Sequence, residues 1–237
     1  MRVASEAWVA QHVYCPYCGN LKLNHFENNR PVADLYCGQC AAQYELKSKS
    51  GKIGNKITDG AYATMIERIS SNQNPELFVM SYDKGSYAIN SLLMVPKYFF
   101  APKVIEKRKP LADTARRAGW VGCNILFSEI PQQVLVYLIK DGQFVDFEKV
   151  HKQVSSNSSL RLENPHLRGW LLDTLICIEQ FGSAEFSLRD LYNFEHVLSQ
   201  KHPQNKNVKA KIRQQLQLLR DRGFIEFLGN GYYRRAI

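Results

Sequence analysis

The feature that most constrains this chain is a pair of cysteines that occurs twice near its N-terminus. Cys15 and Cys18 enclose two residues, Cys37 and Cys40 enclose two more, and 18 residues separate the pairs. Each short turn offers two sulfurs to one tetrahedral ion, and two turns complete its coordination. A redox dithiol is expected singly and beside a βαβ unit, so the repeat favours metal binding. We predict a structural Zn²⁺ site whose four thiolates leave no open position for water.

The other two cysteines, Cys123 and Cys177, lie in apolar surroundings and are predicted to be buried packing residues. Free thiolates for zinc indicate a reducing compartment. The first residues include Glu6 and lack the apolar stretch of a signal peptide, and no apolar run approaches the roughly 20 residues of a membrane helix. We therefore expect a soluble, cytoplasmic protein without a membrane partner.

The second cysteine pair is flanked by two acidic residues and a lysine. Residues 32–36 and 42–49 alternate like antiparallel strands that the turn at 37–40 would join. Asp34 lies on the first strand, and Glu45 and Lys47 share one face of the second because they are two residues apart. Neighbouring carboxylates suit Mg²⁺, which activates a bound water, and the ammonium can reach that water or a phosphate. An ordinary solvent-exposed charged strand fits the same spacing.

The rest of the N-terminal half alternates between helical and strand patterns. We predict a helix over residues 58–69 with Thr58 as its N-cap, and strands over 76–82, 88–95, 121–127 and 134–140. Between residues 102 and 117, six basic residues face two acidic ones, and Trp120 follows. Arg116 and Arg117 are therefore candidate DNA contacts, although a solvated surface loop fits them equally well.

The C-terminal third has a different pattern. Residues 154–164 are polar and serine-rich, so we predict a linker there that divides the chain into domains 1–155 and 156–237. Helices are predicted over 170–178, 188–198 (capped by Ser187) and 205–222 (ended by Gly223). A hairpin over 224–235 follows, and three helices with a hairpin form a winged helix, a variant of helix-turn-helix.

The charge of the chain is concentrated where this domain would meet DNA. The net charge is +9, with nine basic against two acidic residues in 201–237 but three against six in 160–200. A basic helix suits a polyanion, and DNA is favoured over a protein partner. On the third helix, one face is apolar and the neighbouring face carries the candidate DNA contacts Lys209, Arg213, Gln217 and Arg220.

Six long stretches carry a resemblance to a known family: YCPYCGN, LNHFENNRPVADLYC, YELKSKSG, DGAYATM, RKPLADTARRAGWVGCNI and KIRQQLQLLRD. With them the chain resembles DpnI-like, methylation-dependent type II (type IIM) restriction endonucleases of the PD-(D/E)XK superfamily. The resemblance implies an α/β nuclease core, a mixed sheet with an embedded zinc site, followed by a mainly-α winged-helix domain. It also implies Mg²⁺-dependent, blunt-ended cleavage of double-stranded DNA at GATC sites that carry N6-methyladenine.

On the family pattern, Asp34, Glu45 and Lys47 take the catalytic positions, and Asp34, Glu45 and Leu46 are expected to bind Mg²⁺. The chain departs from the usual adjacent proline and aspartate, because here they read Pro-Val-Ala-Asp. Glu6 and Glu27 stay open as further metal ligands. We expect a monomer, with a transient dimer on DNA as the alternative.

Reading a methyl group requires a shaped apolar pocket, since one buried methyl contributes only about 1 kcal/mol. Trp120 is the candidate in the nuclease domain, with a core position beside Cys123 as the alternative, whereas Trp170 is expected in the core. Two other functions stay open: a non-catalytic zinc-ribbon and winged-helix regulator, and a related nuclease with another modified target.

Overall fold

The computed structural model describes residues 2–27 and 33–236, with a mixed sheet at the centre of the N-terminal half. Within these ranges, seven strands form that sheet in the order β1-β2-β3-β5-β6-β9-β10. They are β1 (Asn24–His25), β2 (Leu35–Tyr36), β3 (Gln43–Ser50), β5 (Glu76–Tyr82), β6 (Ile89–Val95), β9 (Val136–Lys140) and β10 (Gln143–Phe144). A second described sheet has the order β4-β8-β7, with β4 at Lys56–Ala61, β7 at Ile105–Lys107 and β8 at Gly122–Leu126.

Alternating side chains of the central strands build two apolar layers. Leu77 and Val79 of β5 point to one face, and Phe78 and Met80 point to the other, and all four are buried. The first face is covered by helix α2 (Tyr62–Ser70) and the second sheet, and the second face by α1 (Arg2–His12) and α3 (Phe147–Ser159). A strand buried on both faces is nearly continuously apolar, as β5 is.

The connection from β3 to β5 determines which face of the central sheet Glu45 and Lys47 occupy. These strands are parallel, and Glu45 and Lys47 lie opposite Leu77 and Val79. They therefore face the second sheet, because the crossover through β4 and α2 lies on that side of the sheet. Tyr44 lies on the opposite face, in the layer that contains the cysteines.

The predicted helix over residues 58–69 is wrong at its start. The helix begins at Tyr62, and Thr58 lies within β4, opposite Asn124 of β8. The β-branched pair Ile57 and Thr58 favours a strand, and an antiparallel partner is available in β8. The strands predicted at 76–82, 88–95, 121–127 and 134–140 are confirmed to within two residues. The predicted pairing of the strands around the second cysteine turn is also confirmed, although residues 31 and 32 lie outside the described ranges.

The C-terminal part has the arrangement of a winged helix. Its helices are α4 (Pro165–Glu179), α5 (Leu188–Tyr192), α6 (Glu195–Lys201) and α7 (Val208–Asp221), and its strands are β11 (Glu185–Ser187), β12 (Ile225–Gly229) and β13 (Tyr232–Arg235). The second predicted helix is divided into α5 and α6, while its cap at Ser187 and the end of the third at Gly223 are as expected. The hairpin β12–β13 is confirmed.

The serine-rich segment is mostly helical, contrary to the linker predicted there. Helix α3 extends to Ser159, begins at the N-cap Asp146, and packs Val150 and Val154 into the core. Tertiary packing of that apolar stripe outweighs the weak helical propensity of serine. The connection to α4 is thus confined to residues 160–164. The domain division at residue 155 stays a prediction, with its boundary inside α3.

The two halves of the chain share one apolar core. Leu93 and Val95 of the central sheet belong to the same buried cluster as Leu172 of α4 and Ile212 of α7. Helix α4 packs against short 3₁₀ turns of the N-terminal half, among them Lys97–Phe99 and Pro102–Val104. Trp170 is buried in this cluster and stacks on His202 with ring centroids 3.9 Å apart, so its predicted core position is confirmed.

Four charged residues and a histidine from both halves meet at this junction, and we call Lys103, Glu129, Asp173, Lys201 and His202 the junction cluster. The Oδ1 atom of Asp173 lies 2.6 Å from Lys103 Nζ and 3.0 Å from Lys201 Nζ, and its Oδ2 atom lies 2.8 Å from His202 Nε2. Glu129 contacts both lysines. Burial opposes ionisation of Asp173, but its three partners outweigh burial and lower its pKa to about 2.

None of the helices in the described ranges is both long and apolar enough to cross a membrane.

Candidate functional site

The four predicted zinc ligands converge on one point. The sulfurs of Cys15, Cys18, Cys37 and Cys40 all lie within 4.8 Å of one another. Cys15 with Cys40 and Cys18 with Cys37 each have their sulfurs 3.5 Å apart. Four sulfurs about 2.3 Å from a tetrahedral zinc ion would be about 3.8 Å apart, so the described cluster fits that ion.

The chemistry of these thiols also fits a cation. Burial opposes ionisation of Cys37, but backbone N–H groups of Cys40 and Gln39 outweigh it and lower its pKa to about 6. Burial raises the pKa of Cys15, so its thiolate requires a positive partner. The remaining cysteines, Cys123 and Cys177, are buried packing residues, as predicted.

The cysteine cluster is joined directly to strand β3. The hydroxyl of Tyr44 lies 3.1 Å from Cys15 Sγ, and its ring stacks on Phe78 with centroids 4.5 Å apart. Tyr44 is fully buried and precedes Glu45 on the strand. The turn of Cys37 and Cys40 joins β2 to β3. The sulfur cluster therefore fixes β3, which holds Glu45 and Lys47, and β2, which begins directly after Asp34.

Asp34 lies at the open end of the β2–β3 hairpin. Its Oδ2 accepts a hydrogen bond from the backbone N–H of Leu46 at 2.8 Å, and its Oδ1 accepts one from Arg2 at 3.0 Å. Arg2 also contacts Glu6 of α1 at 2.6 Å. Glu6, an open candidate for metal binding, is thus near Asp34 through a shared arginine, whereas Glu27 is exposed at the end of the first described range.

Glu45 and Lys47 are joined by a third charged residue, Asp59 of β4, and we call these three the acidic cluster. Lys47 Nζ lies 2.6 Å from Glu45 Oε1 and 2.5 Å from Asp59 Oδ1. Burial raises the pKa of Glu45 to about 7, and repulsion from Asp59 adds to this effect despite the attraction of Lys47. Burial opposes the charge of Lys47, but the two carboxylates outweigh it and raise its pKa.

The sequence does not identify Asp59 as a site residue, because the predicted helix over 58–69 includes it, whereas it lies in β4. The sequence carried a signal, since DGAYATM is one of the stretches that resemble the family. The side chain of Asp59 is 3% exposed, and its Oδ2 has no hydrogen-bond partner among the described residues. Pairing of β4 with β8 brings it against β3. A local pattern could not reveal that contact.

The acidic cluster fits a divalent cation by its chemistry. Two carboxylates of the cluster share one ammonium, and a third, Asp34, opens onto the same cleft as Glu45 and Lys47. Oxygen donors with excess negative charge suit Mg²⁺. Within the described ranges, however, the four cysteines are the only group of three or more such residues that is placed to hold a metal ion. The carboxylates therefore surround a cleft and do not meet at one point.

Basic side chains line the cleft around these carboxylates. Arg2, Lys49 and Lys56 lie along its walls together with Ser48 and Thr58. Lys56 also contacts Glu106 on its outer side at 2.6 Å. Cationic walls around a carboxylate centre suit a phosphate backbone, because the walls attract the strand and the centre can hold its metal.

The predicted basic loop over 102–117 is wrong at its start, where residues 102–107 form a 3₁₀ turn and β7. The remainder lies between β7 and β8 and exposes Arg116 and Arg117. Trp120 is half-buried, with the guanidinium of Arg117 4.4 Å from its ring centroid. Its ring lies over Gly122, where a Cβ atom would come within 2.8 Å of it. Trp120 is therefore a covered surface residue and does not lie in the core beside Cys123.

Helix α7 has the predicted division of faces. Its buried face includes Ile212, Leu216 and Leu219, and the candidate DNA contacts Lys209, Arg213, Gln217 and Arg220 are all exposed. Arg213 donates a hydrogen bond to the hydroxyl of Tyr192 at 2.7 Å, and Lys209 lies 5.5 Å from the centroid of the same ring. Both side chains are thereby held on one side of α7.

Comparison with known families covers nearly all of the chain. A family model described as the DpnI, Dam-replacing family matches residues 1–163, and a model described as the Dam-replacing HTH domain matches residues 166–235. These matches agree with the mixed sheet, the four-cysteine cluster and the C-terminal helices described above. The resemblance seen in the six sequence stretches is confirmed, and the chain belongs to the DpnI, Dam-replacing family, with that family's helix-turn-helix domain at its C-terminal end.

Proposed function

We propose that this chain is a Mg²⁺-dependent type II restriction endonuclease that cleaves double-stranded DNA at GATC sites carrying N6-methyladenine and leaves blunt ends. The observation that carries the proposal is the acidic cluster, in which Glu45 and Lys47 share a cleft with Asp34 in a chain of the Dam-replacing family. The protein acts in the cytoplasm as a monomer, and a dimer that forms only on DNA is the alternative state.

In this proposal, Asp34, Glu45 and the backbone of Leu46 hold the cation. When bound, Mg²⁺ supplies Lewis acidity at the scissile phosphate and lowers the pKa of a bound water. Asp34 is already oriented by the backbone N–H of Leu46 at 2.8 Å. Lys47 places its ammonium beside Glu45, where it can orient the attacking water and balance the phosphate charge.

Two regions recognise DNA in this proposal. The exposed residues Lys209, Arg213, Gln217 and Arg220 of α7 meet the major groove and its phosphates, while Arg116 and Arg117 contact the backbone beside the nuclease site. Trp120 contributes to reading the methyl group, because its ring is half-exposed and held by Arg117 and Gly122. Its exposure supports this role over a core role.

Digestion of one plasmid in two methylation states tests the proposed specificity. Plasmid with N6-methylated GATC sites should be cut to the fragments expected from those sites, and the unmethylated plasmid should stay intact. Asp34→Ala should remove cutting while much of the DNA affinity is retained. Cutting of the unmethylated plasmid would contradict the specificity, and absence of cutting with retained DNA binding would favour the non-catalytic regulator.

A related nuclease with another modified target predicts a different result. A panel of duplex oligonucleotides, each with one modified base in one sequence context, separates the two candidates. The proposal expects cleavage only where N6-methyladenine lies in GATC. Cleavage of a different modified duplex, with methylated GATC left intact, would assign the acidic cluster to another target.

We propose that zinc at the four cysteines is structural. The cluster supports β2 and β3, and four thiolates leave no position for water. Removing zinc with a chelator, or Cys37→Ser, should unfold the nuclease half as it stops cleavage, since such binding contributes directly to folding. Circular dichroism and zinc content measure both effects, and a zinc-free, folded and active variant would refute the role.

A further inference from the structure

The backbone of its own strand, β4, fixes the position of the Asp59 side chain. Asp59 lies opposite Cys123 of β8, and the register of this pair shifts between Asp59 and Ala61. A bulge of this kind redirects the side chain beside it. The backbone N–H of Gly60 donates to Asp59 Oδ1 at 2.7 Å. The carboxylate is therefore fixed toward β3 by the backbone of β4.

Lys47 has two partners in the acidic cluster. Glu45 is also a proposed metal ligand, whereas Asp59 is not. Lys47 Nζ lies 2.6 Å from Glu45 Oε1 and 2.5 Å from Asp59 Oδ1. Glu45 must turn its oxygens to a cation in the proposed reaction, and that weakens its hold on the ammonium. Asp59 lies on another sheet and can keep the ammonium where it is.

The second oxygen of Asp59 is an unusual feature of so buried a group. The side chain is 3% exposed, and Oδ2 has no hydrogen-bond partner in the described part of the chain. Buried polar atoms are nearly always satisfied, so an unsatisfied carboxylate oxygen indicates a requirement other than stability. An asparagine could accept the same bond from Gly60, yet it would hold an ammonium less strongly.

We propose that Asp59 is a positioning residue of the nuclease site, which holds the Lys47 ammonium at the cleft while Glu45 binds the cation. This inference rests on the proposed nuclease function and deepens it. Asp59 acts through Lys47 and does not touch the DNA or the cation. Asp59 lies on β4 of the second sheet, whereas Glu45 and Lys47 lie on β3 of the central sheet. The proposed nuclease site is therefore built from both sheets.

The test is a double-mutant cycle on single-turnover cleavage of a GATC duplex with N6-methyladenine on both strands. Asp59→Asn should slow cleavage on the order of tenfold, and Asp59→Ala on the order of 100-fold, because the ammonium loses its fixed position. In a Lys47→Ala background, both substitutions should cause no further loss. The dissociation constant for the same duplex, measured with Ca²⁺ in place of Mg²⁺, should stay within about twofold of wild type in each variant.

Readouts other than cleavage separate positioning from folding. Asp59→Asn should keep the thermal midpoint and zinc content of wild type. It should weaken Mn²⁺ binding to DNA-free protein roughly tenfold, because Lys47 then pairs with Glu45 alone and competes with the ion. Glu106→Gln is the matched control, since its carboxylate contacts Lys56 at 2.6 Å in the same small sheet but is half-exposed. It should leave the single-turnover rate unchanged.

The outcomes are distinguishable. If wild-type protein does not cleave, the proposed function fails. If wild type cleaves and Asp59→Asn cleaves equally fast, Asp59 has no positioning role. An equal loss from Asp59→Ala with and without Lys47 would also overturn the inference, because Asp59 would then act independently of the lysine.

Discussion

Two groups of partly buried charges in the described part of the chain differ in how well they are satisfied. In the junction cluster, Asp173 has a partner for each oxygen, and its pKa is lowered to about 2. In the acidic cluster, Glu45 has its pKa raised to about 7 by burial and by Asp59, and an oxygen of Asp59 lacks a partner among the described residues. Both clusters pair carboxylates with lysine side chains, but the acidic cluster has too few cationic partners for its carboxylates.

This difference indicates that the charges of the junction cluster stabilise the fold, whereas those of the acidic cluster are suited to binding a cation. Two lysines and a histidine surround Asp173 and Glu129 in the junction cluster. A single lysine serves Glu45 and Asp59 in the acidic cluster. Negative charge in excess of its cationic partners destabilises a protein until a cation binds, which supports the proposed cation site. Substitutions in the two clusters should therefore have opposite effects.

Glu45→Gln is expected to give the largest difference between its effect on cleavage and its effect on stability. Cleavage should fall on the order of 10³-fold, because the substitution removes a ligand of the proposed cation. The thermal midpoint without added Mg²⁺ should stay the same or rise, since burial disfavours the charged carboxylate at pH 8. Single-turnover kinetics and calorimetry measure these two quantities, and a large loss of stability would show that Glu45 is a structural residue.

Asp173→Asn should show the reverse behaviour. The free energy of unfolding should fall by about 2 kcal/mol, because the lowered pKa reflects favourable contacts with Lys103, Lys201 and His202. Cleavage of methylated DNA at 25 °C should be retained. The control is Glu185→Gln, which breaks an exposed pair with Arg234 at 2.8 Å and should leave urea denaturation unchanged. Equal effects of the two variants would contradict the special role of the junction cluster.

The smallest contrast lies in the pH dependence of stability. The pKa of Asp173 is lowered from 3.8 to about 2, so its contribution is present above the unfolded pKa and is lost as pH falls through the folded value. The stability difference between wild type and Asp173→Asn should be constant at neutral pH and shrink from about pH 4 toward pH 2. Urea denaturation of both proteins across this range measures it. A difference that does not change with pH would refute the assignment.

Local patterns in the sequence predicted much of this arrangement. The two cysteine turns, the shared face of Glu45 and Lys47, and the apolar stripe of α7 each depend on neighbours within a few residues. Short-range geometry of turns, strands and helices fixes such features. The wing hairpin was predictable for the same reason, from a turn at Gly229 and Gly231 between two strand patterns.

Features that depend on distant pairing were missed. Asp59 reaches Lys47 only because β4 pairs with β8, more than 60 residues later in the chain. Asp173 meets Lys103 only after the two halves dock. Helix α3 forms where its composition suggested a linker, because Val150 and Val154 are buried against the sheet. Propensity and spacing do not encode such contacts, which tertiary structure creates.

The shared apolar core has a consequence for the entropy of association. Two independently tumbling domains would each lose translational and rotational freedom on the same DNA, and each loss opposes binding. Here Leu172 and Ile212 pack in one cluster with Leu93 and Val95, so that freedom is already lost when the chain folds. In the proposed function, an encounter that places α7 on DNA therefore holds the cleft beside the acidic cluster at a fixed distance and direction from that DNA. The apolar packing between the halves therefore raises the effective concentration of the cleft near any DNA that α7 binds, as a very short linker would.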